Sequence, residues 1–309
     1  MFSKEGKVKA VPPVRVSYVI LTYNRKEELK ICLDSLVAQA YEDIEIIVVD
    51  NNSQDGTDEL VKRYSGIRYT GLDYNSGVCE GRNIGFAQAT GDIIVVIDDD
   101  GEIPEEDFTG RVVDGFNRHP EMGIMALKII NPKDPATRRI VPSRDKSIAD
   151  SQAETEVAYF LGGGVAFRRQ VLEQVGYYPA EYFYSMEELD LSYRLARTSW
   201  KIIYFPQLVV LHHESIGQRP SWRRAYYDYR NRIWLATSFL PLQYLVVHLT
   251  VRALELGFKA LRNGHFRSFA RGTRDGIREI GRYRQRRKTH LLSRDEIARM
   301  KKLGGRVWY

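Results

Sequence analysis

Along the first hundred residues the chain alternates between two hydrophobic periods. "VRVSYVILTY" is a nearly unbroken apolar run of strand length. From Arg25 to Ala38 the apolar residues Leu29, Cys32, Leu33 and Leu36 recur at helical spacing. "IEIIVVD" reads as a second buried strand. Asp55-Gly56 then makes a turn, and Thr57 is placed to cap a helix carrying Leu60 and Val61. "IRYTGL" is a short third strand, Val78 to Ala89 a helix closed by Thr90-Gly91, and "IIVVID" a fourth strand. Strands this uniformly apolar, joined by helices, predict an α/β fold with a mostly parallel sheet covered on both faces.

The pattern continues with a helix after Pro104, a strand near "GIMALKII", and a polar loop punctuated by prolines, "NPKDPATRRIVPSRDKS". "YFLGGGVAFRR" reads as a strand, "MEELDLSYRLART" as a helix and "KIIYFP" as a closing strand. Beyond about Ser221 the character changes. The chain becomes helical and aromatic, is interrupted at Pro241, and ends in the strongly basic "RSFARGTRDGIREIGRYRQRRKTHLL".

Composition narrows the class. The 309 residues carry a net charge of +6, concentrated after Gln218, which predicts an anionic partner for the tail, either membrane lipid or nucleic acid. "WRRAYYDYRNRIWLATSFL" mixes Arg with Tyr and Trp as interfacial helices do. The competing reading is a helical subdomain packed on the core, or a homodimer contact. Two cysteines, Cys32 and Cys79, exclude a disulfide framework and a four-cysteine zinc site. The N-terminus lacks a signal-peptide core and no run of 18 clean apolar residues occurs. A cytoplasmic protein is expected, with the cytoplasmic face of a membrane as the place of peripheral attachment.

Ligands of open parallel sheets bind outside the carboxyl ends of the strands. Polar clusters fall at those ends: Thr22-Tyr23-Asn24, Asp50-Asn51-Asn52-Ser53 and Asp98-Asp99-Asp100. Two carboxylates in Asp-x-Asp spacing can hold a hard cation such as Mg²⁺ or Mn²⁺, which bridges to phosphates. Asp50 can accept from a nucleobase N–H or merely cap its turn. Arg82 can clamp phosphate or pair with Glu80. Glu187 and Glu188 are adjacent on a helix and so point differently, leaving one free to act as a general base. His212 and His213 follow an apolar run, where a histidine can complete a metal shell.

Taken in order, "ILTYNR", "VVDNNSQDGT", "NSGVCEGRNIGFAQATGD", "VIDDD", "GGGVAFRR", "EELDLSYRL" and "HHES" resemble the family 2 glycosyltransferases of GT-A fold, over roughly residues 15 to 217. The resemblance implies an inverting, metal-dependent enzyme that moves a sugar from a UDP- or dTDP-sugar to a glycan, polysaccharide or lipid-linked acceptor. It implies a nucleotide pocket of Thr22, Tyr23, Asn24, Asp50, Asn52, Arg82, Asp98 and Asp99, and a Mn²⁺ or Mg²⁺ site of Asp98, Asp100 and His212. Gly163, Gly164 and Glu187 fall on the acceptor side, with Glu188 as the base. Where the family more often has Glu-Asp, this chain has Glu-Glu. The implied divisions are an N-terminal lead (1–14), a catalytic domain (15–217) with a nucleotide half (15–103) and an acceptor half (104–217), and a basic helical extension (218–309). Three rival readings remain, one of them a catalytically dead relative that only binds sugar nucleotide. "IDDDGE" approximates the signature of haloacid-dehalogenase phosphotransferases, with Asp98 as nucleophile, although Glu102 stands where a threonine or valine is expected. The basic tail alone allows a nucleic-acid binder, but no recognised binding module is visible.

Overall fold

A computed structural model describes residues 14–213, 221–305 and 307. The lead (1–14) therefore lies outside the described residues except for its last residue. So does the expected join between catalytic domain and extension.

Four parallel strands form the first half of the sheet: β1 (Val16–Thr22), β2 (Ile44–Asp50), β3 (Ile67–Gly71) and β4 (Ile93–Ile97). Next come β5 (Gly101–Glu102), β6 (Met122–Ile130), β7 (Thr155–Val157), β8 (Gly164–Arg168) and β9 (Lys201–His212). Among the described residues these nine make one sheet in the order β3-β2-β1-β4-β8-β6-β9-β5, with β7 also on β9. The strand β8 runs antiparallel to both neighbours, whereas β6 and β9 are parallel. The sheet is thus mostly parallel with antiparallel insertions, as the apolar runs predict.

Both faces are covered. On β1, Val19 enters one apolar core while Tyr18 and Ile20 enter the other. Alternate residues point to opposite faces, so burial on both sides makes the whole strand apolar. The first core includes Phe86 of α3 (Gly77–Gln88); the second includes Leu29 and Leu33 of α1 (Lys26–Val37) and Phe116 of α4 (Phe108–Arg118). A Cβ at Gly81 or Gly85 would collide with Leu21 or Val19. These glycines let α3 lie directly on β1, which brings Arg82 to the rim.

Three local expectations are corrected. Thr57 is not the cap of α2 (Thr57–Val61): it is the first helical residue, Gly56 precedes it at φ 80°, and Asp55 Oδ1 accepts from the Thr57 N–H and hydroxyl. The carboxylate two residues earlier does the capping work. Second, "YFLGGG" is not strand; β8 begins only at Gly164, and Gly162-Gly163 form a turn. Third, β9 continues through Pro206 to His212. The register between β6 and β9 slips after Leu127↔Phe205 and resumes at Lys128↔Val209, so Pro206 sits where no ladder partner needs its missing N–H.

The C-terminal helices are α7 (Ser221–Phe239), α8 (Leu242–Arg262), α9 (Phe266–Arg278), α10 (Ile280–His290) and α11 (Arg294–Lys302). Between α4 and α7 lie α5 (Arg169–Val175) and α6 (Glu187–Leu195). The helix α7 is buried from Tyr229 onward, where Ile233, Trp234, Leu235, Ala236 and Phe239 are buried and Trp234 stacks on Tyr283 of α10 with ring centroids 4.8 Å apart, while Trp222 and Arg224 at its start stay exposed. Ile297 and Met300 of α11 share one apolar cluster with Ala158 and with Leu189 and Tyr193 of α6.

Candidate active site

The acidic rim is assembled by a very short strand. After β4 ends at Ile97, the chain turns through Asp98–Asp100 and pairs Gly101 of β5 with His212 of β9. The His213 N–H donates to the Asp100 carbonyl at 2.8 Å. This places His212 Nε2 3.2 Å from Asp98 Oδ2 and 3.1 Å from Asp100 Oδ1. One ligand atom from each of Asp98, Asp100 and His212 lies within 4.8 Å of the others. Asp100 Oδ1 is buried and has no donor aligned on it as a hydrogen bond. Two carboxylates and one imidazole with an unsatisfied oxygen suit a hard divalent cation.

The three aspartates do not all face one way. Asp99 and Asp100 Oδ2 turn to Arg25, whose Nη1 lies 3.1 and 2.6 Å away. Burial pushes the Asp99 carboxyl up to about 7, against the pull of Arg25. Asp99, read from sequence as a nucleotide contact, is thus paired inward. Asp98 Oδ1 meets Arg82 Nη2 at 2.6 Å, and the same nitrogen donates to the Gly162 carbonyl at 2.9 Å. Arg82 does not pair with Glu80, which accepts from Tyr74. Burial works against the Arg82 charge, yet Asp98 and nearby acids raise its pKa.

At the ends of β1 and β2, Thr22, Tyr23, Asn24, Asp50 and Asn52 gather at one rim. Asp50 Oδ1 accepts from the Ser53 N–H and Oδ2 from the Tyr69 hydroxyl, both at 2.8 Å. Asn24 and Asn52 adopt φ of 52° and 69°. Asn24 Oδ1 accepts from Gln54 N–H at 2.7 Å, and the Asn24 N–H donates to Ser53 Oγ at 2.8 Å, tying the two turns together. The Thr22 side chain is buried, while the Tyr23 ring is exposed.

The second acidic group opens α6. The segment before it is strained: Phe183, Ser185 and Met186 have φ of 62°, 73° and 75°. It is held from two sides. Val78 N–H of α3 donates to the Phe183 carbonyl at 2.6 Å, and Asn231 Nδ2 of α7 bonds the carbonyls of Tyr182, Tyr184 and Ser185 at 2.8–3.0 Å. Glu187 is buried; Glu188 is half-buried. Burial, with Glu188 beside it, pushes Glu187 up to about 8, and burial also raises Glu188. A Cβ at Gly162 would strike Glu188 Oε1 and lie 2.9 Å from Arg82 Nη1. A Cβ at Gly163 would lie 3.3 Å from Asp98 Oδ2 and 3.5 Å from His212 Cδ2. The Gly162-Gly163 turn therefore runs between the two acidic groups. Gly164 is different. A Cβ there would meet Ile129, Val210 and Leu127 in the interior.

Sequence reasoning missed three contributors. Arg25 follows the noted "TYN" directly, but its partners lie 74 and 75 positions away. Gly162 was read as strand. Asp228, hidden in a basic helix, accepts from Ser185 Oγ and raises Glu188, while neighbouring Tyr227 stacks on Phe183 at 5.2 Å.

This arrangement, two acidic groups with a guanidinium paired to one of them at the carboxyl rim of a mostly parallel sheet, coincides with a family match. Residues 17–176 fit the model of Glycosyl transferase family 2. The chain belongs to that family. This transferase is 27% identical over 254 residues to N-acetylglucosaminyl-diphospho-decaprenol L-rhamnosyltransferase of Mycobacterium tuberculosis, covering 71% of this chain and 83% of that protein. Its fold matches a mannosyltransferase of Pyrobaculum calidifontis in complex with GDP-Man and Mn²⁺, at TM-score 0.53 and 21% identity, over 94% of this chain and 79% of that one. It also matches GalNAc-T7 with UDP, GalNAc and Mn²⁺, at TM-score 0.62 and 15% identity, over 87% and 57%. The fold is GT-A, and family membership replaces the phosphotransferase and nucleic-acid readings. The family match ends before Glu187, Glu188 and His212, so those residues stand on geometry alone.

Proposed function

We propose that this glycosyltransferase moves a sugar from a UDP- or dTDP-sugar to a hydroxyl of a glycan, polysaccharide or lipid-linked saccharide, with inversion at the anomeric carbon. The carrying observation is the pair of acidic groups either side of Gly162-Gly163, one with His212 and one with a raised carboxyl pair. In this reading Asp50 accepts from the N3–H of uracil or thymine, with Thr22, Tyr23, Asn24 and Asn52 around the nucleoside. Asp98, Asp100 and His212 would hold Mn²⁺ or Mg²⁺, which supplies positive charge to the departing diphosphate. Arg82 lies beside the same phosphates. Glu188 takes the proton from the acceptor hydroxyl as that oxygen bonds to the anomeric carbon and the carbon–diphosphate bond breaks. Glu187, Gly163 and Asp228 stand on the acceptor side. The lipid-linked acceptor named for the mycobacterial relative supports that acceptor class here.

The deciding experiment is a thermal-shift panel of nucleoside diphosphates with and without Mn²⁺, followed by turnover. UDP or dTDP should stabilise the chain only with metal, and Asp100→Ala should abolish the effect. Glu188→Gln should keep that stabilisation but lose about 10²–10⁴ in kcat. Metal-independent responses, or full turnover by Glu188→Gln, would sink the reading.

A further inference from the structure

The C-terminal half of α7 is buried; the next helix keeps a whole face open. On α8 the residues Val247, Val251, Leu254, Phe258 and Leu261 recur at spacings of four and three, so they lie along one face. That face is uncovered among the described residues: Leu254, Phe258 and Leu261 are 71%, 69% and 63% exposed. The opposite face carries the contacts, with Gly257 against Phe269 of α9 and His248 and Ala260 buried. Beside it, α9 exposes Phe266 and Ile277, and Ile277 with Phe269, Ala270, Thr273, Arg274 and Arg278 lines an open hollow of about 500 Å³. Exposed side chains of this size in one stripe mark an interaction surface.

Charge selects the occupant. Residues 241–290 contain twelve Lys and Arg against three Asp and Glu, a surplus of nine, in a chain whose net charge is only +6. Arg267, Arg271, Arg274 and Arg278 stand exposed along α9. A second copy docked on the same stripe would bring two such basic segments together, and like charges oppose that contact. An anionic lipid surface satisfies both features, apolar side chains entering the acyl boundary and arginines meeting headgroup phosphates. No helix among the described residues is long and apolar enough to cross a membrane, and α8 itself carries Arg252, Glu255, Lys259 and Arg262.

We propose that the exposed face of α8, flanked by the arginines of α9, lies in the interface of an anionic membrane. This goes beyond the transferase reading, and it is tested without donor or acceptor. The full chain is sedimented with phosphatidylcholine vesicles with and without about 30% phosphatidylglycerol. The wild type should pellet with the anionic vesicles and be released in part by high salt. The triple variant Leu254→Asp, Phe258→Asp, Leu261→Asp should lose about tenfold or more in vesicle affinity at unchanged thermal midpoint. Arg→Gln at 267, 271, 274 and 278 should lose the preference for phosphatidylglycerol while keeping the apolar stripe. Wild type that stays in the supernatant with anionic vesicles overturns the proposal. So does sedimentation-equilibrium evidence that the wild type is a dimer and the triple variant a monomer, which would make α8 an interface between copies.

Discussion

At the scale of single residues, burial decides which carboxyls of the site carry a charge. Glu187 is the clearest case. Its pKa rises from 4.5 to about 8, chiefly because burial disfavours the carboxylate. Between those values the folded chain keeps a proton that the unfolded chain has released. Stability therefore falls as pH rises through that window and levels off above it. Glu187→Gln removes the penalty, so its gain in thermal midpoint over wild type should be near zero at pH 4.5 and largest at pH 8.5. An equal gain at both pH values would mean that Glu187 is ionised throughout. The same burial raises Glu188, so the rise of kcat with pH should come later than for an ordinary carboxylate. Arg25 tests the other acidic group. Arg25→Met leaves Asp99 and Asp100 buried without their guanidinium, at a cost of about 3–5 kcal/mol. Mn²⁺ should restore part of that loss, measured as a larger metal-dependent shift in the urea midpoint than wild type shows.

At the scale of elements, α6 carries the candidate base and is braced from outside the family match. Asp190, fully buried, sits between Arg194 of the same helix and Arg286 of α10, with Arg286 bonded to both carboxylate oxygens at 2.7 and 3.0 Å. Burial pushes the Asp190 carboxyl up, but the two arginines hold it below its usual range. Arg286→Met should cost about 3 kcal/mol by leaving that carboxylate half-paired. It should also lower kcat more than it raises the donor KM, because α6 tilts while the nucleotide rim is untouched. Loss of stability with kcat intact would confine Arg286 to a folding role. Such braces are what the sequence hides. The strands β1, β2 and β4 were legible because burial on both faces makes them continuous apolar runs, and α1 and α3 because their apolar residues keep helical spacing. The acidic rim was legible because its polar clusters interrupt those runs at strand ends. Arg25 with Asp99, and Arg286 with Asp190, were not, because pairing across 74 and 96 positions leaves no local pattern. The alternation of Arg with Tyr and Trp in α7 hides a second internal pairing for a related reason. Arg230 lies 4.3 Å over the Trp234 ring and bonds the carbonyls of Glu181 and Tyr182, so this part of the pattern is internal packing.

At the scale of the whole molecule, the basic extension packs on the catalytic sheet through specific contacts. Asn231 satisfies three carbonyls of the strained turn before Glu187. The tail returns to the sheet region through the Arg299–Glu156 pair at 2.8 Å and the Arg144 N–H, which donates to the Gly304 carbonyl at 3.0 Å. The apolar cluster of Ala158, Leu189, Tyr193, Leu235, Phe239, Ile297 and Met300 has members on both sides of the division the sequence suggested. A chain cut after residue 217 would expose the sheet-side half of that cluster and release the turn. Backbone held at positive φ without its partners relaxes, and the carboxylates of α6 move with it. The expected outcome is that the full chain unfolds in a single calorimetric transition, while the 1–217 fragment shows no cooperative transition and no metal-dependent stabilisation by UDP or dTDP. A fragment that melts cooperatively and still binds nucleotide would show that the sheet folds alone and that the helices are an appended module. The same comparison bears on the membrane proposal, since contact at α8 would reach the turn before Glu187 only through α7, which precedes α8 in the chain and whose Asn231 bonds that turn.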